Sequence, residues 1–226
     1  MKWNYFFSIL FCFLSFSIAF SQTNKTPEFV SIQKFIPSIK VELRYASNHN
    51  FIGHPIKGYY TNNAILTIEA AKALKKAQQL LNNKGYSLII YDAYRPQKAV
   101  KEFVQWAKNL KDTLMKREFY PTVNKKILFK AGYISSHSRH SSGSTVDLSI
   151  ISLKTNKPID MGSPFDFFGK PSWINYNLLT KKQKANRALL QSVMNKSGFR
   201  NYAKEWWHFT LRNEPYKNRY FDFNLE

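Results

Sequence analysis

Cysteine is almost missing from this chain: 226 residues contain one, Cys12. Beyond that position a disulfide framework, a thiol nucleophile, a paired-thiol redox centre and a thiolate metal site are all excluded. Glycine and proline are few as well, 8 and 9 residues, so the chain is neither collagenous nor of low complexity. Acidic residues number only 14 against 34 Lys and Arg, a formal charge of +20. That balance rules out an acidic solvating polypeptide and brings nucleic acid, anionic lipid and cell-wall polymer into consideration as neighbours. With 44% hydrophobic residues the chain can bury a real core, and its length suits one domain.

The one long apolar run, Tyr5 to Phe20, lies at the N-terminus behind Lys2 and leads into Ala19-Phe20-Ser21. Small residues at the minus-three and minus-one positions predict an export signal, residues 1–21, cleaved before Gln22. Ser8, Ser15 and Ser17 interrupt the run, which falls short of the ~20 apolar residues of a membrane-spanning helix. Phe11 is too bulky for lipoprotein processing at Cys12. Residues 22–226 then form a single exported domain, in the periplasm or cell envelope, with no cysteine and no membrane span. Only Lys2 is lost with the signal, so 205 residues carry +19. Export, and lysines scattered without a basic arm, point away from nucleic acid. A weak attraction to anionic cell-wall polymers is what the basic surface implies.

Periodicity predicts the elements. Residues 22–38, with Pro27 and Pro37, read as an N-terminal arm. Val41, Leu43 and Tyr45 alternate with charged residues as in a strand. Ile65 to Asn82 repeats apolar residues every three or four positions, with Gly85 placed to cap a helix. Leu88 to Tyr91 reads as a buried strand, and Pro96 to Leu110 as a second helix. Residues 111–136 lack a steady period and are expected to wrap the surface or border a cleft. Thr145 to Ile150 turns Val146, Leu148 and Ile150 one way and Thr145, Asp147 and Ser149 the other. A third helix spans Lys181 to Lys196. Glu205 to Leu211 reads as a strand with Trp207, Phe209 and Leu211 on one face and His208 and Thr210 on the other. The pattern predicts an α+β domain whose antiparallel sheet is flanked by helices.

The two polar strand faces carry the chemistry. A zinc ion acting as a Lewis acid takes three nitrogen or oxygen ligands and keeps a position for water. His140, Asp147 and His208 can supply such a set, with Gly143 in Ser141-Ser142-Gly143-Ser144 turning the chain between the first two. Glu205 lies three before His208, on the opposite face of a flat strand. It is therefore expected at a bend or strand entry, within reach of a general base's position.

The pattern Ser138-x-His140-x-x-Gly143-x-x-x-Asp147, followed by Glu205-Trp206-Trp207-His208-Phe209, resembles the zinc D-alanyl-D-alanine dipeptidases, within the wider D,D-peptidase family of His-Asp-His zinc enzymes. The likeness extends over most of the chain. Tyr91-Asp92-Ala93-Tyr94-Arg95-Pro96 is similar to the segment whose arginine contacts the reacting substrate. Glu42-Leu43-Arg44-Tyr45-Ala46 places Tyr45 at a substrate-contacting tyrosine. Asp160-Met161-Gly162-Ser163-Pro164-Phe165-Asp166 resembles the dipeptidase branch, with Asp166 at the substrate ammonium and Ser138 lining the pocket. Thr145 stands where the family commonly has Ala.

The resemblance implies one zinc ion on His140, Asp147 and His208, Glu205 as general base, and Arg95 stabilising the oxyanion. It implies hydrolysis of D-Ala-D-Ala to D-alanine, with Asp166 and Tyr45 on the free ammonium and Ser138 toward the other end. A D,D-carboxypeptidase or peptidoglycan endopeptidase on the same fold is the nearest alternative. A non-catalytic zinc-containing wall-binding module is the farther one. His137, His49 and His54 are read as structural, because a motif begun at His137 would need Gly at 140 and Asp at 144.

Overall fold

The computed structural model of the chain describes Met1 and residues 27–226. The expected export signal, Met1 apart, falls outside the described residues. In chain order the regular elements are β1 (Phe29–Ser31), α1 (Ile32–Phe35), β2 (Lys40–Val41), β3 (Ile65–Thr67), α2 (Ile68–Asn82), β4 (Tyr86–Asp92) and α3 (Gln97–Lys108). There follow α4 (Lys116–Phe119), β5 (Thr145–Ser152), β6 (Lys157–Pro158), α5 (Lys181–Lys196), β7 (Phe199–Tyr202) and β8 (Glu205–Leu211).

Alternation decides where the strands go. Val146 lies opposite Phe209, Leu148 opposite Ile90 and Ile150 opposite Leu88. All six are fully buried, each contributing about 1.5–3 kcal/mol on leaving water. The main sheet has the order β2-β4-β5-β8-β7, with β6 beside β5. All its pairings are antiparallel except the two-residue β2 edge, which runs parallel to β4. Helix α2 packs on β4 and α5, its Ala70, Leu74, Ala77 and Leu81 buried. Thr180 and Gln183 form a capping box that starts α5. The architecture is the expected α+β arrangement, with helices around a sheet whose centre is antiparallel.

Four segments depart from the periodic reading. Ile65–Thr67 is not helix but β3, paired with β1; Thr67 N donates to Gly143 O at 2.8 Å, and its side chain then caps α2. The N-terminal arm is therefore built into the fold, with Ile32 and Ile36 in the core. The predicted strand over 41–45 leaves the sheet after Val41. Leu43 N donates to the side-chain oxygen of Asn62 at 2.7 Å instead of a ladder carbonyl, and a 3₁₀ turn at Arg44–Ala46 carries Tyr45 into the core. In residues 111–136, Lys125 is buried against the Trp106 ring, with its ammonium donating to the carbonyls of Asn109 and Asp112 at 2.8 and 2.7 Å. These bonds hold an aperiodic basic segment in place, and its end, 132–138, borders a cleft as expected. Among the described residues no helix is long and apolar enough to cross a membrane.

Gly143 joins β1 to the turn between His140 and Asp147. Its φ is +77°, and a Cβ there would lie 2.2 Å from Phe29 Cε1. Gly143→Ala combines a left-handed backbone with overpacking, an expected loss of about 2–4 kcal/mol. Urea denaturation should show a lower midpoint with an unchanged slope; an unaltered midpoint would mean that β1 yields freely.

Candidate active site

His140 sits in a 3₁₀ turn, Arg139–Ser142, that Ser138 opens by accepting a hydrogen bond from His140 N at 3.3 Å. The His140 Nδ1–H donates to the Ala93 carbonyl at 2.7 Å. That bond fixes the ring and leaves Nε2 with its lone pair facing the centre. Asp147 and His208 are cross-strand partners on β5 and β8, so their side chains leave the sheet on one face. His140 Nε2 lies 3.3 Å from His208 Nδ1 and 3.2 Å from Asp147 Oδ2, and His208 Nδ1 lies 3.0 Å from Asp147 Oδ1.

These separations suit a metal ion. Ligands on a tetrahedral zinc at about 2.0–2.1 Å stand roughly 3.3 Å apart. Asp147 Oδ1 is buried and accepts no well-formed hydrogen bond although His208 Nδ1 lies 3.0 Å away, an arrangement that fits two ligands facing one cation better than a donor and its acceptor. Two imidazoles and one carboxylate form a donor set suited to zinc. Burial works to raise the Asp147 pKa, but His140 and then His208 hold it well below the usual carboxylate range, so the ligand stays ionised.

Glu205 occupies the strand entry. It pairs with Tyr202 where the β7–β8 register slips, and this irregularity brings Glu205 Oε2 to 3.5 Å from His208 Nδ1 despite their opposite parity. Burial pushes its carboxyl up to about 7, against the pull of His208. Arg95 reaches in from the end of β4, clamped by Asp92: Nε and Nη2 lie 2.9 and 2.8 Å from Asp92 Oδ2. Its Nη2 is 3.6 Å from Asp147 Oδ2, and the guanidinium stands over the rings of Tyr45 and Phe103.

Asp92 and Tyr59 were not singled out by sequence. Asp92 is fully buried, accepts from Tyr59 Oη at 2.6 Å, and also lies 3.4 Å from His140 Nδ1. The signal for Asp92 was its place within the Tyr91–Pro96 segment; Tyr59 has none, since 33 positions separate the two.

Tyr45 and Asp166, 121 positions apart, meet in the same place, with the Tyr45 hydroxyl donating to Asp166 Oδ2 at 2.8 Å. Asp166 adopts φ +59° and is buried. Burial, reinforced by Asp147, drives its pKa well above the ordinary carboxylate value. All eight residues singled out by sequence, Tyr45, Arg95, Ser138, His140, Asp147, Asp166, Glu205 and His208, line one cavity of about 440 Å³. His137 also lines it, whereas His49 pairs with Glu118 and His54 approaches Glu102, both away from the cavity.

Residues 25–226 match the family model described as D-ala-D-ala dipeptidase. The chain belongs to that family. It is 40% identical to a D-alanyl-D-alanine dipeptidase of Enterococcus faecium, over 88% of this chain and 98% of the relative. It is 38% identical to one of Enterococcus faecalis, over 86% and 96%, and 36% identical to one of Streptomyces coelicolor, over 88% and 99%. Among solved structures, a vancomycin resistance D,D-pentapeptidase in complex with Zn(II) gives a TM-score of 0.42 at 15% identity, over 67% of this chain and 75% of that one. Within this dipeptidase site, Thr145 is turned to the same face as Asp147 and shares a hydrogen bond with Thr210 at 2.9 Å, tying β5 to β8 beside the triad.

The donor set makes a direct prediction about metal content. In protein purified with zinc and assayed by atomic absorption, His208→Ala should fall well below one ion per chain while Glu205→Gln stays near wild type. Equal zinc in wild type and His208→Ala would remove this triad as the metal site.

Proposed function

We propose that this protein is an exported zinc dipeptidase that hydrolyses D-alanyl-D-alanine to two D-alanines in the cell envelope. One observation carries the reading: a two-histidine, one-aspartate metal-ligand triad shares its cavity with a buried carboxylate, Asp166, that has a hydroxyl partner and, among the described residues, no ion pair. A buried carboxylate of this kind favours a ligand that brings a positive charge, and the free ammonium of a dipeptide is such a ligand. Family membership and the names of relatives aligned over nearly their whole length support the substrate. The apolar run at residues 5–20 supports export.

His140, Asp147 and His208 hold the zinc, which when bound supplies Lewis acidity toward water and the peptide carbonyl. Glu205 takes the proton of the attacking water on its carboxylate; a pKa near neutrality suits a group that must both accept and return a proton. The hydroxyl adds to the carbonyl carbon first; the peptide C–N bond breaks as the resulting oxyanion collapses, and Glu205 delivers the proton to the leaving amine. Arg95 directs its guanidinium at the carbonyl oxygen, where negative charge grows. Asp92 fixes that direction by occupying the other side of the fork. Asp166 and Tyr45 bind the ammonium and so set the register of the peptide bond, and Ser138 borders the remainder of the substrate.

Two outcomes are expected in steady-state kinetics. Glu205→Gln should lower kcat by ~10²-fold or more, as loss of a general base does; near-normal turnover would assign the base elsewhere. Asp166→Asn should reduce kcat/KM for D-Ala-D-Ala about ten- to a hundredfold, the weight of a charge-assisted hydrogen bond. Wild type should discriminate against N-acetyl-D-Ala-D-Ala, and the variant should lose much of that discrimination. Equal wild-type rates on the free and acetylated dipeptides would replace the dipeptidase with a carboxypeptidase.

A further inference from the structure

Glu214 follows β8 and takes no part in the chemistry above, yet its side chain is only 1% exposed. Its carboxylate is enclosed by donors. Arg139 Nη1 and Arg200 Nη2 reach Oε1 at 3.0 and 3.4 Å, and Ser142 Oγ lies 2.7 Å from Oε2. The same hydroxyl lies 2.7 Å from the Arg139 carbonyl, so Glu214 closes the turn that carries His140. Arg200 stands on β7 opposite Thr210, two residues along from His208.

The two arginines differ from the buried Glu214 in a telling way: their side chains are 44% and 42% exposed, and both line the cavity. One carboxylate against two guanidiniums leaves a net positive charge at this rim. Each guanidinium has five N–H donors in a rigid fork, and Glu214 engages only part of each. Asp166, buried, and Glu205, 17% exposed, line the same cavity as the solvent-facing Arg139 and Arg200. A short zwitterion, with ammonium and carboxylate at its two ends, matches a cavity that offers both signs of charge.

We propose that Arg139 and Arg200 form the subsite for the carboxylate of the substrate's C-terminal residue, with Glu214 as the positioning residue that holds both guanidiniums at the cavity rim. The proposal rests on the dipeptidase reading of the same cavity. Held in place before the substrate arrives, the two side chains lose little further rotamer freedom on binding it. The subsite selects a free C-terminus as Asp166 selects a free N-terminus.

The test compares kcat/KM for D-Ala-D-Ala and for its C-terminal amide, D-Ala-D-alaninamide, with zinc-loaded wild type, Arg139→Gln, Arg200→Gln and Glu214→Gln. Both rates come from one preparation, so any loss of folded enzyme cancels in the acid-to-amide ratio. Wild type should prefer the acid by about tenfold or more, the weight of a charge-assisted hydrogen bond, and each arginine variant should lower that preference, mainly through KM on the acid. Glu214→Gln should lower it as well; a merely structural Glu214 would reduce both rates together and leave the ratio unchanged. A wild type indifferent to amidation, or arginine variants that keep the wild-type ratio, would overturn the proposal. If wild type cleaves neither compound, the dipeptidase reading falls, and calorimetric binding of D-alanine against D-alaninamide still decides the subsite: equal affinities overturn it.

Discussion

The register that sets Asp147 opposite His208 is the constraint on which the site depends. In a strand pair every residue has a fixed face, and a slip of one position would turn the ligands into the core and bring Val146 or Phe209 to the cavity. The apolar partners on the reverse side therefore specify the metal site. Val146 against Phe209 and Leu148 against Ile90 can be buried in only one alignment, and that alignment delivers the carboxylate and the imidazole to one point. His140, which belongs to no strand, is brought to the same point by a turn and aimed by the Ala93 carbonyl at the end of the neighbouring strand.

Around this point the fold concentrates charge where water is scarce. Asp92, Asp147, Asp166 and Arg95 are all buried or nearly so, and like charges at such depth are tolerable only when each has a partner. Asp92 has Arg95 and Tyr59, whereas Asp147 lies beside the two histidines with one oxygen left for the ion they would share. Asp166 has one phenol. The incompletely partnered groups face the cavity, and the fully partnered ones orient them. That asymmetry separates the residues that meet substrate from those that hold them.

Much of this was legible in the sequence, and the limits have physical causes. The strands at 145–152 and 205–211 and the helix at 181–196 show their period because one side of each is buried and the other is not. The eight cavity residues were legible because they fall in compact motifs; their meeting across the fold could not be read from spacing. Glu205 is instructive: simple alternation puts it on the wrong face, and only a strand-entry irregularity could reconcile it with His208. What escaped periodic reading was decided by long-range partners. Ile65–Thr67 has helix-like neighbours but hydrogen-bonds to β1 and Gly143, and Leu43 leaves the sheet because a distant Asn62 side chain replaces a strand. Glu214 follows no pattern, since Arg139 and Arg200 stand 75 and 14 positions before it in the chain.

The contact between Phe29 and Gly143 has a consequence for assembly. Strand β1 lies at the beginning of the described fold but is completed only by residues 65–67 and by the turn at 143, so this closure spans more than half the chain. Closing so long a loop carries an entropic cost that the contact must offset. The turn that aims His140 is thus braced by a segment far from it along the chain. A chain trimmed just past Ser31 would keep every metal ligand and still lack the wedge that holds one of them in line.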